Sequence, residues 1–242
     1  MRPDTWYLFA DPNIWRFLAD GLAQTLLLAV ASIALSFAVG MLLALGRLSN
    51  RRWIRWPATF FIEVTRALPV LLLIVYFGIR GSTLLRPVLG EDFELPIFWA
   101  GVLGLSMYTS AVLAEIIRAG VVSLPRGQSE AASALGLSYA KAMRYVILPQ
   151  ALRLMVPAMM SQLTTVIKDT SLVSTIGVFE LVRQGRTIFT QFFNPIEVFL
   201  IIAVVYFVIC FTLSQLSKRL EIGTPAEVRI KSEDIQLRDQ VA

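Results

Sequence analysis

The sequence contains no histidine, a single cysteine and few charged residues. The absence of histidine excludes His-ligated metal sites, His general bases and Ser-His-Asp triads. One cysteine, Cys210, cannot form an intrachain disulfide. No phosphate-binding loop of the form G-x-x-x-x-G-K-[S/T] occurs. Residues 1–20 are not expected to be a cleavable signal peptide, because they have no apolar core followed by a cleavage site. The chain is therefore not expected to hydrolyse ATP or to be a metalloenzyme.

The composition is that of a membrane protein. Only 16% of the 242 residues are charged and 56% are hydrophobic, whereas a soluble domain usually carries about a quarter charged residues. A transmembrane helix needs roughly 20 mostly apolar residues. Five segments meet this requirement: residues 22–45, 57–79, 97–117, 150–173 and 196–216. The sequence predicts an all-α membrane protein, with residues 1–220 as one transmembrane domain and 221–242 as a short charged tail.

Lysine and arginine are distributed unequally between the two sides of the predicted bundle. If the N-terminus lies outside, fourteen basic residues fall in the cytoplasmic segments and six in the outer segments, while Arg66 and Lys168 lie inside spans. Cytoplasmic loops normally carry the excess of basic residues. The pattern predicts an outer N-terminus, a cytoplasmic C-terminus and a cytoplasmic loop at residues 121–149. It also explains the net charge of +5 without a nucleic-acid partner.

The loop at residues 121–149 has its own pattern of short helices. Its Leu-Pro-Arg-Gly run at residues 124–127 is typical of a turn, and the Ser-Glu-Ala-Ala run at 129–132 predicts a helix start with Glu130 in the first turn. Gly136 predicts a bend, after which a second short helix over residues 139–146 ends at Pro149. A plain linker would be polar and rich in Gly and Ser. The loop is either an ordinary ordered connection or a docking element.

Several charged and polar residues fall inside the predicted spans, where they are costly without a partner or water. Arg66 lies in the second span, three residues after Glu63, and is either a pathway residue or half of an ion pair with Glu63. Glu115 and Arg118 have the same spacing at the cytoplasmic end of the third span, which favours an interfacial pair.

Two further polar groups have two interpretations each. Lys168 and Asp169 lie near the outer end of the fourth span, and adjacent residues point about 100° apart. At least one of them therefore points into the bundle or a cavity, unless Lys168 reaches the membrane boundary. The cluster on the third span either lines a cavity or makes hydrogen bonds between helices. Its members are Ser106, Tyr108, Thr109 and Ser110.

The loop resembles the EAA loop of binding-protein-dependent ABC importer permeases. The residues that carry the resemblance are Glu130-Ala131-Ala132, Gly136 and Leu148-Pro149, with Val146 where the family usually has Ile. In that family the loop contains the coupling helix, which docks onto the ATP-binding subunit. The resemblance implies a coupling role for these six residues: Glu130, Ala131, Ala132, Gly136, Leu148 and Pro149.

Other runs resemble the polar amino acid branch of these permeases, the histidine/glutamine/glutamate type. They are residues 61–69 (with Ala67-Leu68 in place of the commoner Gly-Thr), 108–110, 114–120, 125–128, 147–153 and 168–172. The resemblance covers about residues 20–220 and implies five transmembrane helices per chain, dimerising around a central pathway in the bacterial inner membrane. It implies a pathway role for Arg66, Tyr108, Thr109, Glu115, Lys168, Asp169, Thr170 and Ser171.

The implied function is import of a polar amino acid, with glutamate or aspartate as the candidate substrate. The implied partners are an ATP-binding subunit that binds ATP and Mg²⁺, a second permease chain (identical or sister), an extracytoplasmic amino-acid-binding protein and the lipid bilayer. No cofactor is expected in this chain. The alternative is a stand-alone secondary transporter or channel that uses Arg66 and Asp169 for ion coupling. Five spans without inverted halves argue against that alternative.

Overall fold

The computed structural model describes residues 6–221, which form helices joined by short loops, and no strand occurs among them. The predicted charged tail lies outside the described residues, apart from Glu221. A 3₁₀ turn at Trp6–Ala10 precedes the first helix. The α-helices are α1 Pro12–Leu48, α2 Arg52–Ala67, α3 Val70–Leu89, α4 Ile97–Ser123, α5 Arg126–Ala134, α6 Tyr139–Ala142, α7 Leu148–Asp169, α8 Leu181–Phe192 and α9 Pro195–Glu221. A π-helical turn, Met143–Ile147, joins α6 to α7, and a 3₁₀ turn, Thr170–Ile176, follows α7.

Five helical segments in the described part of the chain are long and apolar enough to cross a membrane. They are Pro12–Leu48, Val70–Leu89, Ile97–Ser123, Tyr139–Ile176 and Pro195–Arg219. The predicted all-α architecture with five spans is therefore confirmed. Between the third and fourth spans lie α5 and its bend, so the loop also occupies the predicted place in the chain.

The predicted second span, residues 57–79, is wrong in its boundaries. The helix breaks at Leu68, whose extended backbone (φ −91°, ψ 141°) is the conformation that a following proline favours. Two helices result: α2, which has 16 residues, and α3, which has 20 and is the actual span. The predicted span was based on hydropathy, which stays high across the end of α2 and the start of α3. Arg66 consequently lies at the end of α2 and not nine residues into a span.

Close packing between the spanning helices depends on glycine. A Cβ at Gly40 of α1 would lie 2.8 Å from the carbonyl oxygen of Ser110 on α4. A Cβ at Gly104 of α4 would lie 2.6 Å from the Cα of Ile74 on α3. Neither backbone neighbour can rotate away. Small residues are the usual means by which membrane helices approach closely when no hydrophobic force drives them together.

The first helix runs beside the whole bundle and contributes to each of its three hydrophobic clusters. Leu18 packs with α8 and α9, Leu28 packs with α3 and α4, and Ala44 packs with α2, α4 and α7. These positions follow the order of α1 from its start to its end. Successive parts of α1 therefore pack against different helices. The last turns of α1 place Arg47 at the end of the bundle where α4 and α5 are connected.

The connection between the fourth and fifth spans contains a short helix, α8. Residues 178–180 are not helical, and α8 starts at Leu181 with Glu180 as its N-cap. The buried carboxylate of Glu180 accepts the backbone N–H groups of Val182 at 2.9 Å and Arg183 at 2.7 Å. The hydroxyl of Thr25 accepts the N–H of Leu181 at 3.1 Å, which ties α8 to α1. One face of α8 is therefore packed onto the bundle.

Candidate functional site

The loop between the third and fourth spans is organised by a glycine cap. The C-terminal end of α5 has two characteristic hydrogen bonds: the N–H of Gly136 donates to Ser133 O at 2.9 Å and that of Leu137 donates to Ala132 O at 3.1 Å. This pattern is a Schellman motif, whose turning residue adopts a left-handed conformation. Gly136 has φ +75°, and a Cβ there would meet no atom within 4 Å. Glycine is needed at this position for its backbone angle and not for space.

The helix before this cap differs in two ways from the prediction. It begins at Arg126, three residues before the predicted start, with Pro125 at the N-cap position. Glu130 is therefore not in the first turn, and it is exposed. Ala131 is also exposed, but Ala132 is only 2% exposed because it packs inside the chain. Of the two alanines to which the resemblance assigns a coupling role, only Ala131 is therefore accessible to a partner.

An apolar side chain at the tip of the loop was missed by the sequence analysis. Leu135 precedes the glycine turn and is 81% exposed. The signal in the sequence is weak, because Leu135 is a single apolar residue in the Ser-Ala-Leu-Gly run at 133–136 and single exposed apolar residues are common on protein surfaces. Together with Glu130 and Ala131, Leu135 forms the loop tip, the name used below for these three residues.

Two hydrogen bonds hold the loop against the spanning helices. The side-chain amide of Gln150, at the start of α7, donates to the side-chain oxygen of Gln128 on α5 at 3.0 Å. The hydroxyl of Tyr139 donates to the carbonyl oxygen of Leu48, at the end of α1, at 3.2 Å. The loop is thus attached by side-chain hydrogen bonds to the first and the fourth spans.

The predicted helix end at Pro149 is also wrong. Pro149 lies in the first turn of α7, and helical structure continues from Tyr139 through the π-helical turn into α7. Proline removes one backbone hydrogen bond from a continuing helix, and the wider π-helical turn at Met143–Ile147 directly precedes α7. The preceding residue, Leu148, is partly buried against the cluster formed by α1, α2, α4 and α7. Both residues therefore serve the junction between the loop and the fourth span.

A network of charged side chains lies at the end of the bundle near this loop. Glu115 of α4 forms ion pairs with three arginines: Arg47 at 2.6 Å, Arg118 at 3.2 Å and Arg66 at 3.9 Å. Arg47 also contacts Glu63 at 2.9 Å. The side chain of Glu115 is only 17% exposed, whereas that of Glu63 is 56% exposed. Glu115 is the centre of the network, and it joins α1, α2 and α4.

This network corrects one expected ion pair and confirms another. Glu63 pairs with Arg47 and not with Arg66, because the break at Leu68 makes α2 a separate helix that crosses the end of α1. Arg66 reaches Glu115 instead. The predicted pair of Glu115 and Arg118 is confirmed. The neighbours of Arg47 along the chain give no sign of its two carboxylate partners, which lie on α2 and α4.

The polar cluster on α4 is mainly a contact between helices. The hydroxyl of Ser106 donates to Ser32 O on α1 at 3.1 Å, and that of Ser36 on α1 donates to Ser106 O at 3.3 Å. Thr109 is buried within the chain and Tyr108 is partly exposed. Ser106 therefore fits the interpretation of hydrogen bonds between helices, while Tyr108 remains accessible from outside the chain.

The residues at the far end of α7 are a second group. Lys168 is exposed, Asp169 is half-buried and Thr170 is buried. The hydroxyl of Ser171 donates to Lys168 O at 2.7 Å. Lys168 and Ser171 line a shallow groove of about 300 Å³ whose other walls are Val182, Phe199, Ile202, Ala203 and Tyr206. Lys168 thus does not insert into the core of this chain.

The two groups of predicted pathway residues do not meet in one site. Lys168 is about 30 Å along α7 from its start, at 1.5 Å per residue. Arg66 and Glu115 belong to the opposite end of the bundle, near the start of α7. The structure places Tyr108 and Thr109 in the middle of α4, between these ends. The predicted residues are spread along the length of the bundle, and they form no single pocket in the described chain.

Comparison with known proteins is consistent across sequence and structure. The family model described as "Binding-protein-dependent transport system inner membrane component" matches residues 36–222. The chain is 37% identical over 218 residues to the glutamate transport system permease protein GluD of Corynebacterium glutamicum, covering 89% of this chain and 78% of that protein. It is 36% identical over 207 residues to the arginine transport system permease protein ArtQ of Bacillus subtilis, covering 85% and 91% respectively. It also matches a chain in the crystal structure of an amino acid ABC transporter with histidines. That match has a TM-score of 0.80 and 33% identity, and it covers 93% of this chain and 100% of that chain.

Proposed function

Because this chain belongs to the family of binding-protein-dependent transport system inner membrane components, we propose that it is the permease subunit of an ABC importer for a polar amino acid. The observation that carries the substrate class is its similarity, over more than four-fifths of its length, to permeases named for glutamate and for arginine. A permease of this family is a multi-pass inner membrane protein and not an enzyme. ATP hydrolysis belongs to a separate ATP-binding subunit.

The loop tip is the contact with that ATP-binding subunit. Glu130 and Ala131 are exposed on α5, and Leu135 projects beside the glycine turn. The methyl group of Ala131 permits close approach, Leu135 supplies apolar area and Glu130 offers a charge to a basic partner group. Ala132 and Gly136 support this surface from within the chain, while Leu148 and Pro149 carry its movement into α7. ATP and Mg²⁺ bind to the partner.

The pathway runs along the bundle between two copies of this chain, or between this chain and a sister. Exposed or partly exposed side chains support this proposal at successive levels: Arg66 at one end, Tyr108 in the middle, and Lys168 and Asp169 at the other end. An α-amino acid presents a carboxylate and an ammonium group, and a lysine beside an aspartate matches both charges. Glutamate or aspartate is the proposed substrate, delivered by an extracytoplasmic binding protein to the outer side, where the N-terminus lies.

Transport by alternating access requires that ATP binding favours one arrangement of the bundle over the other. The chain would transmit this bias from the loop tip to α7 and to the network around Glu115. The test is uptake of labelled glutamate, aspartate, arginine and glutamine into proteoliposomes that contain the complete transporter. We expect uptake of an acidic amino acid that depends on internal ATP and on the binding protein. Uptake driven by an ion gradient without ATP would contradict the proposed function.

The role of Lys168 and Asp169, at the far end of α7, is tested by Asp169→Asn. Removing this charge beside Lys168 should change the KM values for acidic and basic amino acids by different factors, while assembly with the ATP-binding subunit stays intact. Asp20→Asn, an equivalent change at an exposed position of α1, is the control and should leave uptake unchanged. If Asp169→Asn alters no kinetic constant across the substrate series, Asp169 is structural and does not line the pathway.

A further inference from the structure

The helix α2 has a buried face, a polar edge and an apolar face that no other part of the described chain covers. Its buried residues are Ala58, Ile62 and Thr65. At 100° per residue, these residues lie on one side of the helix. Trp53, Trp56, Phe60 and Val64 lie on the opposite side, and their exposed fractions are 70%, 71%, 65% and 42%. A helix this short does not span a bilayer. Its outward apolar face therefore needs another explanation.

The contacts of α2 show that it lies across the end of the bundle and does not run along it. A Cβ at Gly46 would lie 3.1 Å from the Cβ of Ala58. The next residue of α1, Arg47, contacts Glu63. Between these two contacts the position on α2 moves by five residues, from Ala58 to Glu63, whereas the position on α1 moves by only one residue. Further on, Arg66 reaches Glu115, which is also a partner of Arg47. From residue 58 to residue 66, α2 stays at the level of a single turn of α1.

Exposed arginines stand at the start of α2 and on its polar edge. Arg51 precedes the helix, and Arg52 and Arg55 belong to its first turn; all three are exposed. Within the described residues, none of the three is in an ion pair, whereas Arg47 and Arg66 have carboxylate partners. The first turn of a helix carries partial positive charge, so nothing local balances these arginines. The face that adjoins Trp53 and Trp56 is thus strongly basic.

From this arrangement we infer that α2 lies in the plane of the membrane interface and binds the headgroups of anionic lipids through Arg51, Arg52 and Arg55. Tryptophan is enriched at the interface, where its ring is apolar and its N–H is polar. A basic amphipathic helix with aromatic residues on its apolar face binds such a surface by inserting that face beside the acyl chains. Basic residues next to a span are attracted to an anionic leaflet.

The same helix connects the lipid surface to the charge network. Glu63 and Arg66 are on α2, about two to four turns beyond the arginines, and both contribute to the network around Arg47 and Glu115. Lipid that fixes the position of α2 also fixes these two side chains. The proposal rests on the placement of this chain in a membrane and not on the transported substrate.

The test uses the full-length chain in nanodiscs, with tryptophan only at positions 53 and 56. The three other described tryptophans, Trp6, Trp15 and Trp99, are changed to Phe. Brominated phosphatidylglycerol and brominated phosphatidylcholine are compared as quenchers of the remaining fluorescence. We expect both lipids to quench, and the anionic lipid to be enriched around the reporters. Each basic residue near an anionic surface contributes roughly fivefold, so Arg52→Gln with Arg55→Gln should reduce this enrichment by roughly 25-fold.

The matched control is Lys218→Gln with Arg219→Gln, which removes two exposed basic residues at the end of α9. This variant should keep the full preference for phosphatidylglycerol at Trp53 and Trp56. Equal quenching by the two lipids, or an equal effect of the two double variants, would overturn the assignment of the arginines. Absence of quenching by either lipid would overturn the interfacial placement and would indicate that another protein chain covers α2.

Discussion

Substitution of Gly136 separates a requirement for backbone angle from a requirement for space. Gly136 has φ +75° and open space where a Cβ would point. Gly127, nine residues earlier at the start of α5, has equally open space without a positive φ. A valine at either position adds the same atoms to the same loop. Only at residue 136 does it force a β-branched residue into the left-handed region, which costs of order 1–3 kcal/mol.

That cost sets the expected loss of coupling. If the strain is relieved by undoing the turn, the population of the native loop relative to displaced arrangements falls by roughly fivefold to 150-fold. The bundle itself should still insert, because the loop contributes little to the packing of the spans. We therefore expect Gly136→Val to reach the membrane in normal amounts but to lose most of its binding-protein-stimulated ATP hydrolysis and uptake, in parallel.

The comparison uses the reconstituted transporter with its ATP-binding subunit and binding protein. Gly127→Val should stay close to the unmodified protein. Gly136→Asn should recover most of the activity, since asparagine adopts the left-handed conformation more readily than other residues with a Cβ. Normal stimulation in Gly136→Val would refute the reasoning that this turn positions the loop tip. Equal losses in both valine variants would show that bulk matters and the angle does not.

Three further outcomes are expected. Glu115→Gln should lower the free energy of unfolding by about 1–3 kcal/mol, because the three arginines would then surround a partly buried side chain that carries no negative charge. Glu63→Gln should cost less than about 1 kcal/mol, since its ion pair is more exposed. Thermal unfolding of the purified protein in detergent compares the two, and equal shifts would contradict a network centred on Glu115. Burial raises the pKa of Glu180, which lies outside the spanning segments, above its ordinary 4.5. The folded state then holds this proton more tightly than the unfolded state, so stability should fall as pH rises through the raised pKa. Glu180→Gln should remove that pH dependence of the melting temperature; an unchanged pH profile would mean that another group titrates. Finally, cysteines introduced at the exposed Ser138 and Thr187, with the native cysteine replaced, should react with impermeant reagent from opposite sides of the membrane. Labelling from one side only would contradict the proposed topology.

Hydropathy and glycine positions were enough to predict most of the architecture. Spans recur as apolar runs of sufficient length, so their number could be read from the sequence. Gly136 could be located because the left-handed turn after a helix favours one residue type strongly. The boundaries of the second span could not be predicted in this way. The apolar residues on both sides of the Leu68–Pro69 break give a continuous signal, although the backbone there is extended.

The charge network could not be predicted from the sequence, for a related reason. Spacing of three residues made Glu63 the apparent partner of Arg66, yet both side chains have partners on other helices. The pairing of Arg47 with Glu63 depends on the angle at which α2 crosses α1, and tertiary packing sets that angle. The burial of Ala132 is similar, since the side of α5 that faces the bundle depends on where the helix begins.

The continuity of the helix from Tyr139 to Ile176 has a mechanical consequence. These 38 residues connect the loop that bears Gly136 to the groove at Lys168 without an intervening loop. A helical rod of this length is about 55 Å long, so a tilt of about 5° at one end moves the other by roughly 5 Å. Such a displacement exceeds the width of a methyl group, although the change at the pivot is slight. The π-helical turn at Met143–Ile147 lies near the start of this rod, and π-turns inside helices occur frequently at functional sites.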